Sequence, residues 1–342
     1  MISKFMGVAL AFAALAAGPA AGAAAGGETL KIGYLPVTGH AKFFVAKEQG
    51  FFAKEGLDVE LVEFVNSADG INALNAGKID VGAFGTTAPL VHISKGTDLR
   101  IIGGIMGEDA AIVTTPAKAG VIKGVPDLKG KKIATVRLAS GDAVLRGALH
   151  DAGLDWKKDV EIFELKNPPA VIEAVKTGQV DAGVVWGPHD FRAEEQGLQI
   201  VARSKTLQPG HPCCRLTIRA EQLKERARWV KLVRAILRAE KFAREDHPRT
   251  VDAIARYLKL DRALIEKAYY SGYLDQTTDP NAHGVQKFWK IMQASEFVDS
   301  KGSIDSHIEV AIYKDALDGL AKESPKDAYW AELEKKFAAR NL

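Results

Sequence analysis

The sequence predicts an α/β protein with two similar lobes, each a mostly parallel sheet flanked by helices. A helix-turn-strand unit occurs twice at a constant offset of 101 residues, and its shared positions are Ile71, Ala73, Gly77, Asp80 and Gly82 in the first copy and Ile172, Ala174, Gly178, Asp181 and Gly183 in the second. In both copies the glycine stands where a helix ends, and a short apolar strand follows the aspartate. Strands and helices also alternate along both halves, which is typical of parallel sheets. Two similar lobes predict a cleft between them.

The elements of the first lobe follow from caps and breakers. The predicted strands cover residues 31–35, 57–64, 79–83, 99–106 and 111–115. Pro36 ends the first strand, and Gly77 ends a helix over 68–75 that Asn66 or Ser67 caps. The other predicted helices cover residues 41–50 and the segment that follows Thr86 or Thr87 and carries Pro89 in its first turn.

The second lobe repeats this plan. Its predicted strands cover residues 132–136, 160–165, 199–202 and 214–218, in addition to the repeated unit. A helix over 143–152 opens at Ser140, and from Ala220 onward the pattern is helical. The predicted division is one lobe of residues 28–115 and 217–342 and another of residues 116–216. Two crossings near residues 115 and 215 would then form a hinge.

The composition limits the possible functions. With 342 residues, 47% of them hydrophobic, the chain can bury a substantial core. Its net charge of +3 is spread over interspersed acids and bases, without the basic and aromatic stretch of a nucleic-acid-binding surface. No serine-hydrolase, zinc-protease, Cys-x-x-Cys or nucleotide-loop motif is present. We therefore predict a monomer without catalytic residues, cofactor, metal centre or nucleic-acid partner.

The first residues have the layout of a secretory signal peptide. Lys4 precedes an apolar run over 5–17, and a Gly-Pro pair and small residues follow. The run is shorter than the roughly 20 apolar residues that a membrane-spanning helix needs. We expect residues 1–25 to be a signal peptide, with cleavage between about Ala23 and Gly26 and a mature protein in the periplasm.

Polar residues at the carboxyl ends of predicted strands are the candidate ligand contacts. Open α/β sheets bind ligands at these ends, where helix N-termini present unpaired amides that suit small oxyanions. The candidates in these loops are Thr38, His40, Gly85, Thr86, Thr87, Ser140, Gly141 and Asp142. For each Ser, Thr or Asp among them, capping of the following helix is the alternative role.

The loop after the second repeat differs from its counterpart in the first. Trp186 and His189 stand where the first copy has Gly85 and Ala88. We expect Trp186 to present an aromatic surface to a partly apolar ligand, with His189 beside it. The alternative roles are a packed core tryptophan and a surface or capping histidine.

The two cysteines of the chain, Cys213 and Cys214, are adjacent. Three interpretations remain open: a pair of small buried hydrophobic residues, a vicinal disulfide, or capture of a soft metal or thiol-reactive ligand together with His211 or His40. Alternation along a strand would point the two side chains to opposite faces unless a bulge intervenes. The pair lies on the strand that is predicted to return to the first lobe.

Five segments of the chain carry a family resemblance, and they lie at residues 33–36, 50–57, 73–80, 127–134 and 178–188. With them the chain resembles the periplasmic substrate-binding proteins of ABC transporters, in the nitrate, sulfonate and taurine class. The resemblance extends from about residue 30 past residue 239. It implies a type II two-lobed periplasmic-binding-protein fold, hinge closure over a small-molecule ligand, and delivery of the ligand to an inner-membrane permease.

The chain is also similar to the thiamine-pyrimidine synthase branch of the same fold. That branch has a histidine where His40 stands and an iron-associated cysteine cluster where Cys213 and Cys214 stand. It also carries a lysine and a histidine at the places that Phe84 and Ala88 occupy here, so we do not expect its chemistry. The prediction is a non-catalytic binding protein for a small organic or inorganic anion or a vitamin-precursor-like molecule. A synthase-like enzyme and a soft-metal or thiol-reactive binder are the alternatives.

Overall fold

The computed structural model describes Met1 and residues 28–342 of the chain, so the predicted signal peptide lies outside the described residues except for Met1. The strands are β1 (Leu30–Tyr34), β2 (Val59–Glu63), β3 (Val81–Gly85), β4 (Leu99–Glu108), β5 (Ala110–Thr114), β6 (Lys132–Val136), β7 (Glu161–Leu165), β8 (Ala182–Trp186), β9 (Gln199–Arg203), β10 (Cys214–Arg219) and β11 (Leu274–Asp275). The helices are α1 (Ala41–Glu48), α2 (Phe51–Lys54), α3 (Ser67–Asn75), α4 (Thr87–Ser94), α5 (Pro116–Ala119), α6 (Ser140–Asp151), α7 (Pro168–Lys176), α8 (His189–Glu195), α9 (Ser204–Leu207), α10 (Arg226–Glu245), α11 (His247–Leu258), α12 (Arg262–Tyr270), α13 (Ala282–Ala294), α14 (Val310–Glu323) and α15 (Ala328–Asn341). Among the described residues, no helix combines the length and the apolar character that a membrane span requires.

The strands form two sheets with the same central order. The first sheet runs β11-β4-β10-β3-β1-β2, and the second runs β7-β6-β8-β5-β9. In the first sheet β1 pairs in parallel with β2 and β3, and in the second β6 pairs in parallel with β7 and β8. The chain enters the first sheet on β10 and the second sheet on β5. Each of these two strands is antiparallel to both of its neighbours. The predicted α/β fold with two helix-flanked sheets is confirmed, and both sheets are mixed.

The sequence repeat corresponds to one supersecondary unit built twice. Asn66 caps α3 by accepting a hydrogen bond from the Asp69 amide at 2.8 Å, and Asn167 caps α7 in the same way. Gly77 and Gly178 follow these helices with left-handed φ angles of 68° and 74°. Glycine adopts this conformation without strain, which explains its presence in both copies.

The repeated aspartates anchor one strand to its neighbour. A side-chain oxygen of Asp80 accepts a hydrogen bond from the Lys31 amide at 2.8 Å, and Asp181 accepts the equivalent bond from Lys132 at 2.8 Å. Each aspartate therefore satisfies a backbone donor at the start of a strand with parallel neighbours on both sides, β1 in one sheet and β6 in the other. This shared role sets the register of β3 against β1 and of β8 against β6.

The chain passes between the two sheets at Asp109 and again over residues 208–213. The segment Ala110–Thr114 pairs with β8 and β9, so β5 belongs to the second sheet. The first passage thus precedes β5, whereas the sequence places the crossing after it, near residue 115. The sequence predicts a break between these two strands but not a change of sheet, because β4 and β5 are both largely buried and two such strands can also pair with each other. The second passage ends where β10 begins at Cys214, beside the predicted residue 215.

The helices after β10 contact both halves of the molecule. The long helix α10 packs on α1 and α14 beside the first sheet, while α13 packs on α6 beside the second. The Trp156 indole donates a hydrogen bond of 2.6 Å to the carbonyl of Ser295, just after α13. The C-terminal helices therefore connect the lobes outside the two crossings.

A buried ion pair joins α1 to α10 in the first lobe. The Lys42 ammonium lies 3.2 Å from a Glu240 carboxylate oxygen and 3.0 Å from the Thr278 hydroxyl. The Tyr329 hydroxyl donates to the other Glu240 oxygen at 2.9 Å. Burial lowers the pKa of Lys42, and the Glu240 charge opposes that shift. The pair is tolerated in the core because each charge has its partner and further hydrogen bonds.

Removal of this carboxylate is expected to destabilise the fold strongly. Glu240→Ala leaves the Lys42 charge buried without compensation, and the free energy of unfolding should fall by about 3–5 kcal/mol. The matched control on the same helix is Glu245→Ala, which removes an exposed pair with Lys241 and should cost at most about 0.5 kcal/mol. Urea denaturation measures both variants. A loss below about 1 kcal/mol for Glu240→Ala would contradict the structural role assigned to the pair.

Candidate functional site

A small cavity lies where the two lobes meet, at the carboxyl ends of β3 and β8. Its volume is about 20 Å³, room for roughly one water molecule. The residues that line it are Leu35, Val37, Ser67, Gly85, Met106, Ala110, Ala139, Ser140, Gly141, Trp186, Cys213 and Cys214. The lining is mostly apolar. Apart from the two thiols, it contains no ionisable side chain.

Three residues lock the lobes together beside this cavity. The Thr86 amide donates hydrogen bonds of 2.8 Å to the Ser140 hydroxyl and of 2.8 Å to the Cys213 carbonyl. The Ser140 hydroxyl and, at 3.1 Å, the Thr86 hydroxyl donate to the same carbonyl. We call Thr86, Ser140 and the Cys213 carbonyl the interlobe latch. All three residues are buried, so the cleft is closed at this point.

Gly85 permits this closure because it has no side chain. A β-carbon added at Gly85 would lie 2.9 Å from the Ser140 amide nitrogen and 3.1 Å from the Ser67 hydroxyl. The Gly85 amide donates to that same Ser67 hydroxyl at 3.1 Å. The end of β3 and the start of α6 can therefore approach only with glycine at this position.

The N-terminus of α6 points toward the cavity. Ser140 and Gly141 are the first residues of this twelve-residue helix, and both line the cavity. A helix N-terminus carries a partial positive charge and amides without helical partners, so it attracts an anionic or hydrogen-bond-accepting group. A β-carbon at Gly141 would lie 2.8 Å from a Val184 methyl group, so glycine also allows α6 to pack closely on β8.

Six of the predicted site residues line this cavity: Gly85, Ser140, Gly141, Trp186, Cys213 and Cys214. Thr86 contacts it through the interlobe latch. Ser67, which the sequence predicts only as a possible helix cap, also lines the cavity. So do five apolar residues that are absent from the predicted site: Leu35, Val37, Met106, Ala110 and Ala139. Apolar residues at strand ends resemble ordinary core residues in a sequence, so pattern alone cannot single them out.

Thr38 and His40 are buried beside the cavity without lining it. The His40 Nδ1 accepts a hydrogen bond of 3.1 Å from the Leu35 amide. Burial, with the Lys42 charge, lowers the pKa of His40 to about 3, so the ring is neutral. In this structure His40 therefore positions the loop whose Leu35 and Val37 reach the cavity.

The remaining predicted residues, Thr87, Asp142 and His189, also lie outside the cavity lining. Thr87 is buried in the first turn of α4. Asp142 turns away from the cleft and binds Arg146 at 2.9 Å, and burial raises its pKa to about 6 against the effect of that arginine. His189 begins α8, and burial lowers its pKa to about 4. Their roles in this closed form are helix packing and ion pairing.

Cys213 and Cys214 are free thiols with their sulfurs 3.9 Å apart. Both line the cavity because Cys213 precedes β10 and the pairing of β10 with β4 shifts register just after Cys214. Regular strand alternation would point the two side chains to opposite faces, and a register shift of this kind removes that restriction. Within the described part of the chain, no group of three or more His, Cys, Asp or Glu side chains is arranged to hold a metal ion. The soft-metal interpretation thus lacks a third ligand in this geometry.

Comparison with known proteins assigns the chain to a family. Residues 23–259 match the model of the NMT1-like family. The chain belongs to the NMT1-like family. A relative in Brucella abortus, described as a "Putative binding protein", is 31% identical over 71% of this chain and 76% of its own length. An Escherichia coli relative described as a "Putative aliphatic sulfonates-binding protein" is 33% identical over 50% of this chain and 53% of its own length.

Solved structures of periplasmic binding proteins share the fold of this NMT1-like protein. The aliphatic sulphonate binding protein SsuA from Escherichia coli superposes with a TM-score of 0.70 at 24% identity, covering 84% of this chain and 100% of that one. The nitrate-binding protein NrtA from Synechocystis superposes with a TM-score of 0.73 at 18% identity, covering 88% of this chain and 90% of that one. The predicted two-lobed periplasmic-binding-protein fold is confirmed.

A buried carboxylate without a partner lies at the first crossing of this NMT1-like protein. Glu108 and Asp109 both have left-handed φ angles, and neither carboxylate oxygen of Asp109 has a hydrogen-bond partner. Burial, followed by the nearby Asp190 charge, raises the pKa of Asp109 well above its ordinary value, and Arg203 opposes the shift. Asp190 itself is bound by Arg203 at 2.5 Å. Asp109 was absent from the predicted site because its burial depends on the packing of both lobes.

We expect Gly85→Ala to hold the lobes apart. The added methyl group would collide with the backbone of Ser140 and break the interlobe latch. The radius of gyration from small-angle X-ray scattering should increase, and the Thr86 amide should exchange with solvent faster. Gly120→Ala is the matched control, because a β-carbon there meets no atom within 4 Å. A Gly85→Ala variant as compact as the parent protein would contradict the close approach described above.

Asp109→Asn should raise stability at neutral pH. The folded-state pKa of Asp109 is raised, so the folded protein binds the proton more tightly than the unfolded chain does. Stability from this group is therefore greatest below the ordinary value of 3.8 and decreases as the pH rises toward the folded-state pKa. The neutral amide avoids this loss, and we expect a gain of roughly 1–3 kcal/mol at pH 7.

Chemical denaturation between about pH 4 and pH 7 measures this effect, with the difference between variant and parent growing as the pH rises. The matched control is Asp190→Asn, which weakens the partner of Arg203 and should destabilise the protein. A pH-independent difference between Asp109→Asn and the parent would show that the Asp109 carboxyl does not titrate in this range.

Proposed function

We propose that the protein is the solute-binding component of an ABC importer, which captures a small molecule between its lobes in the periplasm and delivers it to an inner-membrane permease. The observation that carries this proposal is the cavity at the lobe junction, with the N-terminus of α6 on one side and the end of β3 on the other. The family and the named binding proteins among its relatives support the same function. The predicted export segment is consistent with it.

The polar groups at the cavity suit a single oxyanion. The amides of Gly85 and Thr86 now donate to the hydroxyls of Ser67 and Ser140, and a ligand oxygen could replace either hydroxyl as acceptor. The α6 N-terminus adds favourable potential for a negative charge. Because the cavity lining offers no acidic or basic side chain, a second ligand charge of either sign would be buried without compensation.

The apolar lining favours an organic body over a bare inorganic ion. Leu35, Val37, Met106 and Trp186 surround the space next to the polar groups. Burial of each methylene group of a ligand against such a surface contributes about 0.8 kcal/mol. We therefore infer a small organic monoanion, such as a short sulfonate or carboxylate. In the closed form there is room for one water, so the lobes must open to admit it.

A pyrimidine or another vitamin-precursor-like molecule is the second candidate ligand. A relative in Haemophilus influenzae is described as a "Putative thiamine biosynthesis protein" and is 29% identical over 47% of this chain. Trp186 could stack on a planar ring. The enzymatic alternative is less favoured, because Phe84 is fully buried against Phe64 and Ala88 has no functional group.

A thermal-shift panel tests the function and the ligand class together. Short alkanesulfonates and carboxylates should raise the Tm of the parent protein, and nitrate, sulfate and taurine should raise it less. Pyrimidines are included in the panel to test the second candidate ligand. A ligand at 100 times its Kd adds about 2.7 kcal/mol to the free energy of unfolding. Absence of stabilisation by every compound would count against solute capture, and turnover of pyridoxal phosphate with iron would indicate an enzyme.

The variant Ser140→Ala tests whether the ligand binds in this cavity. Loss of the hydroxyl at the α6 N-terminus should weaken binding of the best ligand about tenfold, the effect of one hydrogen bond to a charged group. Ser94→Ala, at the far end of α4, is the matched control and should leave the Kd within about twofold. Isothermal titration calorimetry measures both. Unchanged affinity in Ser140→Ala would place the ligand elsewhere.

A further inference from the structure

The Cys213 carbonyl belongs to the peptide group that links the two cysteines. That carbonyl accepts hydrogen bonds from the Thr86 amide, the Thr86 hydroxyl and the Ser140 hydroxyl. Two of these donors come from the first lobe and one comes from the second. The orientation of a single peptide group therefore controls the interlobe latch.

The thiols on either side of this peptide group are placed to react with each other. Their sulfurs are 3.9 Å apart, and both line the same cavity. A disulfide requires the sulfurs to approach to about 2.05 Å. Between adjacent residues, the bond closes a small ring that contains the intervening peptide group. Closing this ring pulls the sulfurs from 3.9 Å to bonding distance and so changes the backbone torsions on both sides of the peptide group, and we expect this change to turn the Cys213 carbonyl away from its three donors.

We propose that Cys213 and Cys214 form a redox-sensitive dithiol whose oxidation to a disulfide releases the interlobe latch and opens the cleft. The oxidant is a disulfide compound. One cysteine thiolate attacks its S–S bond and forms a mixed disulfide, and one thiol leaves. The second cysteine then displaces the other thiol. The protein loses two protons and two electrons, and the oxidant takes up both and becomes two thiols.

The closed form protects the pair from this reaction. Both thiols are buried, and the neighbouring Cys214 sulfur and burial raise the pKa of Cys213 well above its ordinary value, so little thiolate is present. His211 opposes that shift to a smaller extent. Oxidation therefore proceeds through the open form, and a solute that holds the cleft closed slows it. Once formed, the disulfide keeps the latch open.

The experiment compares reduced and oxidised protein without any solute. Purified protein is treated with oxidised glutathione, and intact mass spectrometry detects the loss of two hydrogen atoms. Hydrogen-deuterium exchange then reports on peptides that contain residues 84–88 and 138–142. We expect exchange at the Thr86 amide to accelerate by roughly tenfold or more in the oxidised protein. Reduction with a phosphine should restore the original rate.

Two variants separate the disulfide from other effects of the oxidant. The double variant Cys213→Ala and Cys214→Ala should show one exchange rate with and without oxidised glutathione. The single variant Cys214→Ala can form only a mixed disulfide, which mass spectrometry distinguishes. The proposal is overturned if the parent protein forms no internal disulfide under these conditions, or if it forms one and the Thr86 amide exchanges at the unchanged rate. Because no solute is used, these outcomes do not depend on the proposed transport function.

Discussion

One backbone carbonyl, that of Cys213, joins the two lobes of this protein at the edge of its cavity. It accepts from Thr86 at the end of β3 and from Ser140 at the start of α6, so the closed form depends on the second crossing as well as on the lobes themselves. The approach also requires Gly85, since any side chain there would meet the Ser140 backbone. Closure is thus achieved by backbone groups together with the hydroxyls of Thr86 and Ser140.

The distribution of charge supports this arrangement. Two buried ion pairs elsewhere in the described residues balance their charges, Lys42 with Glu240 and Asp142 with Arg146. The cavity lining has no such pair, and the N-terminus of α6 gives this side of the cavity a partial positive charge. Asp109 at the first crossing differs, because its carboxylate is buried without a partner. Protonation of Asp109 or a rearrangement of the hinge relieves the free-energy cost of burying this charge. The stability of the crossing therefore depends on pH.

Much of the fold was predictable because local chemistry determines it. The repeated asparagine caps, left-handed glycines and strand-anchoring aspartates each act within one supersecondary unit, and each is visible in the sequence. The loop positions Gly85, Ser140 and Trp186 were predictable for the same reason, since they follow strands. The crossing at Asp109 was not, because a break between two buried strands does not show whether the second strand stays in the same sheet.

The sequence by itself determined the two-lobed α/β architecture and the loops that meet at the cleft, because periodicity, caps and breakers act over a few residues. Only the tertiary structure decided which residues of those loops reach the cavity. His40 and Asp142 turn to Leu35 and Arg146, while Ser67, Met106 and both cysteines face the cavity. These choices depend on the packing of distant segments and on a register shift in β10, and neither leaves a local pattern in the sequence.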